Sequence, residues 1–300
     1  MNSRIRNILW CLSPFFIAFI LQFVAGFMSS GMWLAVVIHN YTGSTMADLS
    51  SAFRSEESLA TYMDITSFFY SSISAVVFFV MYFAVFYNKK GKYYNKAPYV
   101  TPGREPRFSL KNYSLVKVLI GSVLLVGGIT ILVNFLLIAV STAFPDWLEE
   151  FIELEKMAGL SGDVSFLTVF YAVILGPVSE ELMFRGCTFE YARRGTGAAG
   201  AIVIQALLFA AMHMNKLQST YTFVIGLALG YVYYITGNIL FTILLHILYN
   251  GFQFIQPDMS GAVNTPVAVF LTIVCGFVIT YASLLMFKNS VLPEKEEGII

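Results

Sequence analysis

Long apolar runs separated by short polar segments extend along the whole chain. Most of these runs are long enough to cross the hydrocarbon core of a bilayer as a helix, which takes about 17–25 residues. The pattern predicts eight membrane-spanning helices, at residues 9–38, 65–87, 114–142, 165–193, 197–214, 220–235, 239–254 and 266–287. We expect the first helix to bend near Pro14 or Gly26, and a tight turn around Gly237 to separate the sixth helix from the seventh. The sequence therefore predicts an all-α, polytopic membrane protein.

Two local patterns add detail to this arrangement. Residues 146–155 mix acidic and apolar side chains at helical spacing, which predicts an amphipathic helix on the outer surface. Gly226 and Gly230 form a small-xxx-small pair in the sixth helix, which predicts close packing against a neighbouring helix.

Composition supports the membrane assignment. Hydrophobic residues make up 57% of the 300 residues and charged residues only 12%, whereas soluble domains average about 25% charged. An ordinary cytosolic enzyme is therefore excluded. The net charge of zero gives no reason to expect a nucleic-acid partner. Cys11, Cys187 and Cys275 lie far apart without metal-type spacing, so we expect buried free thiols.

The charges are sorted between the two sides of the predicted bundle. Loops that fall on one side carry most of the basic residues, namely Arg4, Arg6, Lys89, Lys90, Lys92, Lys96, Arg104, Arg107, Lys111, Arg193, Arg194, Lys288 and Lys295. The opposite loops are mainly acidic, with Arg54, Lys156 and Lys216 as exceptions. The positive-inside rule makes the basic side cytoplasmic, so we expect both termini there, in the cell membrane of a bacterium.

The fourth predicted span carries three charges that an apolar helix does not explain. Glu180, Glu181 and Arg185 lie within six residues of one another. A single charge at the bilayer centre costs at least about 2.5–3.5 kcal/mol, so ionisable groups at this depth indicate a functional site. Glu181 and Arg185 share a helix face at i, i+4, and we expect Arg185 to neutralise Glu181. Glu180 lies about 100° round the helix and is left to point elsewhere.

Two later spans carry further polar groups at similar depth. His213 follows Phe209 at i, i+4 in the fifth span, and His246 precedes Asn250 at the same spacing in the seventh. At about 1.5 Å per residue, Glu180, His213, His246 and Asn250 lie roughly 20, 24, 12 and 18 Å from the cytoplasmic ends of their helices. All four depths fall within a core about 30 Å thick.

This set of groups fits two kinds of hydrolytic chemistry and one structural role. A glutamate shielded from water can act with a histidine to activate water, while a second histidine and an amide stabilise an oxyanion. Alternatively, Glu180, His213 and His246 are a carboxylate and two imidazoles, a ligand set of hydrolytic zinc sites. No His-Glu-x-x-His helix is present, so we favour the metal-free interpretation without a cofactor. The structural role is a buried polar network that only locks helices together.

The ordered motifs resemble those of a known family. Glu180-Glu181-x-x-x-Arg185, Phe209-x-x-x-His213 and His246-x-x-x-Asn250 are similar to the three motifs of the CPBP family, which includes CAAX prenyl endopeptidases of type II and Abi bacteriocin-processing proteases. The resemblance covers roughly residues 165–254, and Gly186 also suits the family pattern.

The resemblance implies an eight-helix intramembrane endopeptidase, in a family commonly labelled metalloprotease. By matching positions, Glu180 and His213 would activate water, and His246 and Asn250 would stabilise the oxyanion. Glu181, Arg185 and Phe209 would support the site. We expect a catalytic core at residues 165–255, preceded by spans one to three in 1–164 and followed by the last span in 256–300.

The expected partners are membrane lipid and a substrate, which is a lipidated or amphipathic peptide or protein, or a bacteriocin precursor. The sequence assigns no oligomeric state. A non-catalytic bacteriocin-immunity or scaffold protein, and a proton-coupled transporter, are the alternatives. The intact motifs favour the enzyme, and no inverted repeat supports the transporter.

Overall fold

The computed structural model describes residues 3–87, 110–158, 160, 164–255 and 265–292. Over these ranges the chain is helical, apart from turns and one antiparallel bridge between Tyr113 and Val291. The α-helices are α1 (Ser3–Trp10), α2 (Ser13–Asn40), α3 (Met46–Phe53), α4 (Glu56–Met81), α5 (Leu115–Ala143), α6 (Pro145–Met157), α7 (Phe166–Phe170), α8 (Gly176–Glu181), α9 (Phe189–Met212), α10 (Lys216–Thr236), α11 (Ile239–Gln253) and α12 (Pro266–Lys288). Three π-helical segments, Tyr82–Tyr87, Tyr171–Leu175 and Leu182–Thr188, continue or connect them.

Five helical stretches of the described chain are long and apolar enough to cross a membrane. They are Arg4–Asn40, Glu56–Ala84, Leu115–Ala143, Phe166–Met212 and Pro266–Lys288, and the shorter helix Ile239–Gln253 is also apolar. Each of the eight predicted spans corresponds to a helix or to part of one. The prediction of an all-α, polytopic membrane protein is therefore confirmed.

Local capping explains where the observed bounds differ from the predicted ones. The second span begins at Glu56 instead of residue 65, because the Ser55 side chain accepts a hydrogen bond from the Ser58 amide and two acidic residues follow in the first turn. The first span breaks between α1 and α2, where Pro14 occupies the first turn of α2, as expected. The predicted amphipathic helix at 146–155 is α6.

The fourth and fifth spans form a hairpin that reverses at Gly197. This residue has φ 80° and ψ −175°, a conformation open almost only to glycine. A continuous helix would separate Phe184 from Phe209 by roughly 37 Å. Their ring centroids instead lie 5.2 Å apart, so the chain doubles back and the two halves pack against each other.

The hairpin packs closely against α10 through the predicted small-residue pair. A Cβ atom added at Gly226 would lie 3.0 Å from the Cα atom of Ala206, and one added at Gly230 would collide with the Gln205 side chain. Gln205 is fully buried and donates from Nε2 to the Gly226 carbonyl at 2.7 Å. The close packing expected of Gly226 and Gly230 is confirmed.

Helix α4 lies along the fourth span and is attached to it near both ends. At one end, the Asp64 carboxylate accepts hydrogen bonds from the hydroxyls of Ser165 at 2.8 Å and Thr168 at 2.6 Å. Towards the other end, the Cys187 thiol donates to the Phe78 carbonyl at 3.8 Å. A side chain on Gly186 would crowd the Tyr82 ring, so this glycine permits the close approach. The stretch of the fourth span that carries Glu180 lies between these attachments.

Candidate active site

Glu181 and Arg185 form a fully buried ion pair in the fourth span. The Arg185 Nη1 atom donates to the Glu181 Oε1 atom at 2.7 Å, and both side chains have no exposed surface. The guanidinium also lies over the Phe209 ring, 4.7 Å from its centroid. The expected neutralisation of Glu181 by Arg185 is confirmed, and Phe209 supports the arginine through a cation–π contact.

His246 reaches this pair from α11 and lies between the two glutamates. Its Nδ1 atom is 2.8 Å from Glu181 Oε1, and its Nε2 atom is 3.6 Å from Glu180 Oε2. An ionised carboxylate only accepts hydrogen bonds, so the Nδ1 atom of His246 carries a hydrogen and donates a hydrogen bond to Glu181. Glu181 thus fixes the orientation of the imidazole and turns its Nε2 atom towards Glu180.

His213 ends the fifth span and is oriented by its own helix. Its Nδ1 atom lies 2.9 Å from the Phe209 carbonyl oxygen, which accepts only, so Nδ1 must be the donor. In the neutral ring, Nε2 is then left as an acceptor. The helix stops here because Met214 has φ 53° and Asn215 caps α10. The Phe209 ring touches both histidines edge-on, at 5.0 Å from His213 and 5.7 Å from His246.

Glu180 and His213 line one cavity of about 120 Å³. The Glu180 side chain retains 30% of its surface, in contrast to fully buried Glu181. The remaining lining comes from α2, α4 and the hairpin, namely Gln22, Tyr70, Ser74, Phe78, Ser179, Met183, Phe184 and Met212. The cavity is large enough for water or a short length of peptide backbone, so the more exposed glutamate is the one that can reach a reactant.

Asn250 contacts the fourth span on the N-terminal side of Glu180, where Pro177 interrupts the backbone hydrogen bonds of the helix. Its Nδ2 atom donates to the Ala172 carbonyl at 2.9 Å. Ala172 lies in the π-helical segment Tyr171–Leu175, where a carbonyl receives the amide five residues ahead. That position is Pro177, which has no N–H, so the Asn250 amide supplies the missing donor. One N–H of the carboxamide remains for another acceptor.

The donors do not form a metal site as they stand. Among the residues that the structure describes, no three His, Cys, Asp or Glu side chains converge as metal ligands. His246 already donates from Nδ1 to Glu181, and His213 donates from Nδ1 to a carbonyl, so each ring has only Nε2 left as a ligand atom. A free Nε2 beside a hydrogen-bonded Nδ1 is also the state of a zinc-binding histidine, so these contacts alone do not exclude a metal. Glu180, His213 and His246 do not converge in this arrangement of the described residues, and the reaction proposed below has no step through a metal.

Some residues of the site had no signal strong enough to be selected from the sequence. Tyr70 and Ser74 share a face of α4 at i, i+4. The signal in the sequence that could have identified them is their polar groups within an apolar span. Gln205 is a buried polar residue in the second arm of the hairpin. The Gly226 carbonyl accepts from its Nε2 atom and also from Arg185 Nη2, the latter at 3.5 Å.

One comparison with known proteins relates this geometry to a family. Residues 162–252 match the family described as Type II CAAX prenyl endopeptidase Rce1-like. The matched segment contains Glu180, Glu181, Arg185, Phe209, His213, His246 and Asn250. Neither the curated proteins nor the solved structures gave a match.

Proposed function

We propose that this chain is an intramembrane protease of the CPBP family, which hydrolyses a peptide bond of a membrane-associated substrate with water activated by Glu180 and His213. The observation that carries the proposal is the shared cavity. Glu180 and His213 line it together, while His246 lies between Glu180 and the buried Glu181–Arg185 pair. A network that only locked helices together would not leave one carboxylate open to a cavity.

The water-activating step uses atoms that the other contacts leave unoccupied. The neutral His213 ring accepts a hydrogen bond from the water at Nε2, because Nδ1 is committed to the Phe209 carbonyl. Glu180 takes the second proton as the water oxygen attacks the carbonyl carbon of the scissile bond. The proton then passes from Glu180 to the leaving nitrogen, the C–N bond breaks, and a carboxylic acid, which keeps the other water proton, and an amine are released.

His246 and Asn250 are the proposed donors to the oxyanion. The Nδ1 atom of His246 already donates a hydrogen bond to Glu181. Donation from Nε2 as well requires a hydrogen on both nitrogens, which is the imidazolium form. The carboxylates of Glu180 and Glu181 lie on the two sides of this ring. Asn250 adds the N–H that Ala172 does not use. Such donors act strongly where water is excluded.

The proposed substrate is a lipidated or amphipathic peptide or protein that enters from the cytoplasmic leaflet. The match to CAAX-type endopeptidases supports a C-terminal segment with a prenylated cysteine, and a bacteriocin precursor is the second substrate candidate. The lipid would hold the peptide at the bilayer, so the scissile bond reaches an active site inside it.

The first test compares wild type with Glu180→Gln in proteoliposomes. The probes are internally quenched peptides that end in a CAAX sequence, each with and without a farnesyl group on its cysteine. Gln keeps the shape of the side chain but removes the base, so we expect kcat to fall by at least about a hundredfold, the lower end of general-base contributions. Glu150→Gln, at an exposed acid on α6, is the matched control and should cleave like wild type. Equal cleavage by wild type and Glu180→Gln would refute the proposed reaction.

A second test addresses the metal. Wild-type protein, purified and dialysed against a chelator, should keep its cleavage rate, because Glu180, His213 and His246 do not converge as metal ligands within the described residues. Elemental analysis accompanies the assay. Loss of activity together with one equivalent of zinc, and recovery on adding zinc back, would replace the metal-free mechanism with the metal-dependent one.

A further inference from the structure

We propose that Tyr70 and Ser74 of α4 bind the polypeptide backbone of the substrate opposite Glu180. This inference rests on the proposed function and deepens it, since it assigns a peptide-binding subsite to a helix outside the matched segment 162–252. Both residues line the same cavity as Glu180 and His213. The pair is called the α4 wall below.

The position of the α4 wall is fixed by the attachments of α4 to the fourth span. Asp64 holds Ser165 and Thr168 on one side of it, and the Phe78 carbonyl accepts from the Cys187 thiol on the other. Tyr70 and Ser74 lie between those attachments on one helix face. Tyr70, Ser74 and Glu180 all line the same cavity. The wall therefore faces the catalytic carboxylate across the cavity.

The Ser74 hydroxyl bonds to no backbone carbonyl within the part of the chain that the structure describes, although Ser74 is only 1% exposed. Serines in apolar helices usually satisfy themselves by bonding to the carbonyl one turn back. Ser29 and Ser122 do so here, to Ala25 and Val118, each at 2.8 Å. Ser74 is instead directed to the Tyr70 hydroxyl, and the two hydroxyls keep hydrogen-bonding capacity for a ligand in the cavity that they line.

The chemistry of a peptide inside a membrane indicates what that ligand is. An unfolded peptide segment carries an N–H and a C=O at every residue, and each must be satisfied where water is scarce. The catalytic groups serve only the scissile bond. A serine hydroxyl can donate to one backbone group and accept from another, while a phenol can donate to a carbonyl. The apolar lining, Phe78, Met183, Phe184 and Met212, is suited to substrate side chains instead.

The test measures peptide cleavage by Ser74→Ala and Tyr70→Phe. Each change removes one hydroxyl and little else. If the wall holds substrate backbone in both ground state and transition state, KM should rise about three- to tenfold while kcat stays within about twofold. Ser71→Ala and Tyr62→Phe are the matched controls, on the same helix but outside the cavity lining, and should leave KM unchanged.

A binding measurement separates this inference from the proposed function. A fluorescently labelled farnesylated CAAX peptide is titrated into Glu180→Gln, which retains the cavity, and into Glu180→Gln combined with Ser74→Ala or with Tyr70→Phe. We expect the second substitution to raise Kd by the same three- to tenfold factor, with the thermal melting temperature unchanged. Unaltered KM and Kd in both α4 variants would overturn the α4 wall, even if Glu180→Gln is inactive. Cleavage by Glu180→Gln at the wild-type rate would overturn the proposed function and leave the Kd comparison intact.

Discussion

At the scale of single residues, one oxygen atom of Glu181 connects the parts of the site. Glu181 Oε1 accepts from Arg185 and from His246, while the buried Oε2 atom has no hydrogen bond within the described residues. The pairing with Arg185 was predictable because i, i+4 spacing operates within a helix. The contact with His246 was not, because it depends on how α11 packs against the fourth span. Glu181 is therefore neutralised by Arg185 and also orients the His246 imidazole, which belongs to a second motif.

Removing the arginine should destabilise the protein strongly. Arg185→Met removes the guanidinium partner of Glu181 and leaves the His246 hydrogen bond at a position with no exposed surface, which costs about 3–5 kcal/mol. The measurement is the free energy of unfolding by denaturant in detergent micelles. Lys216→Met is the control, because its pair with Glu150 is half exposed and should contribute less than about 1 kcal/mol. Equal losses in the two variants would show that Arg185 does not compensate a buried charge.

The sequence predicted which residues could carry the chemistry of the site, but not how their side chains are arranged. Residue type and depth selected Glu180, His213, His246 and Asn250, and the structure places the first two at one cavity. The orientation of each histidine comes from its second nitrogen, bonded to a backbone carbonyl or to a carboxylate from another helix. The catalytic roles of all four stay predictions until the substitutions are made.

At the scale of elements, the fourth span is not the plain α-helix that its apolar pattern predicted. Pro177 cannot donate to a carbonyl one turn back, and the segment before it is π-helical. Hydrophobic periodicity does not distinguish a π-helical turn from an α-helical one over five residues. A residue on α11, Asn250, compensates this local change in hydrogen bonding.

A double-mutant cycle tests whether Asn250 compensates for the proline. Asn250→Ala in the wild type leaves the Ala172 carbonyl without its donor and should cost about 1–3 kcal/mol of unfolding free energy. In a Pro177→Ala background the backbone amide at 177 is restored, so the same substitution should cost less than about 1 kcal/mol.

The same cycle read out as kcat separates the structural contribution of Asn250 from its proposed oxyanion contact. If Asn250 also donates to the oxyanion, Asn250→Ala should lower kcat in both backgrounds. Equal stability costs in the two backgrounds would contradict the compensation, whatever happens to kcat. Ser122→Ala, at a buried helix residue outside this contact, serves as the additive control.

At the scale of the whole molecule, the all-α class and the polytopic membrane character were accessible from the sequence because the bilayer dictates helix length and apolarity. The number of eight spans stays a prediction. The match at residues 162–252 supports the CPBP family that the motifs predicted. The short helix α3 and the extension of α4 to Glu56 were missed, since polar capping residues at an interface carry no hydropathy signal. The domain division at residues 164 and 255 stays a prediction.

The orientation in the membrane also stays a prediction and has a direct test. Cys11 and Cys187 are buried and Cys275 is exposed, so Cys275→Ser gives a background with little reactive thiol. On intact bacterial cells, a membrane-impermeant maleimide should label Ser44→Cys, an exposed position after α2, and should not label Lys96→Cys. Residues 89–109 of the basic loop, which include Lys96, lie outside the described residues. Labelling at Lys96 and protection at Ser44 would invert the topology.

The reversal at Gly197 has a consequence for the order in which the site assembles. Glu180 lies sixteen residues before Thr196, and His213 lies sixteen residues after Gly197, so a single hairpin brings the two together. The Glu181–His246 contact instead closes a loop of 65 residues. Each doubling of loop length adds only about 0.6 kcal/mol of closure entropy, but the shorter loop is also complete earlier during synthesis. The pair proposed to activate water is therefore encoded in one contiguous hairpin, and the proposed oxyanion donors on α11 join it from a later segment of the chain.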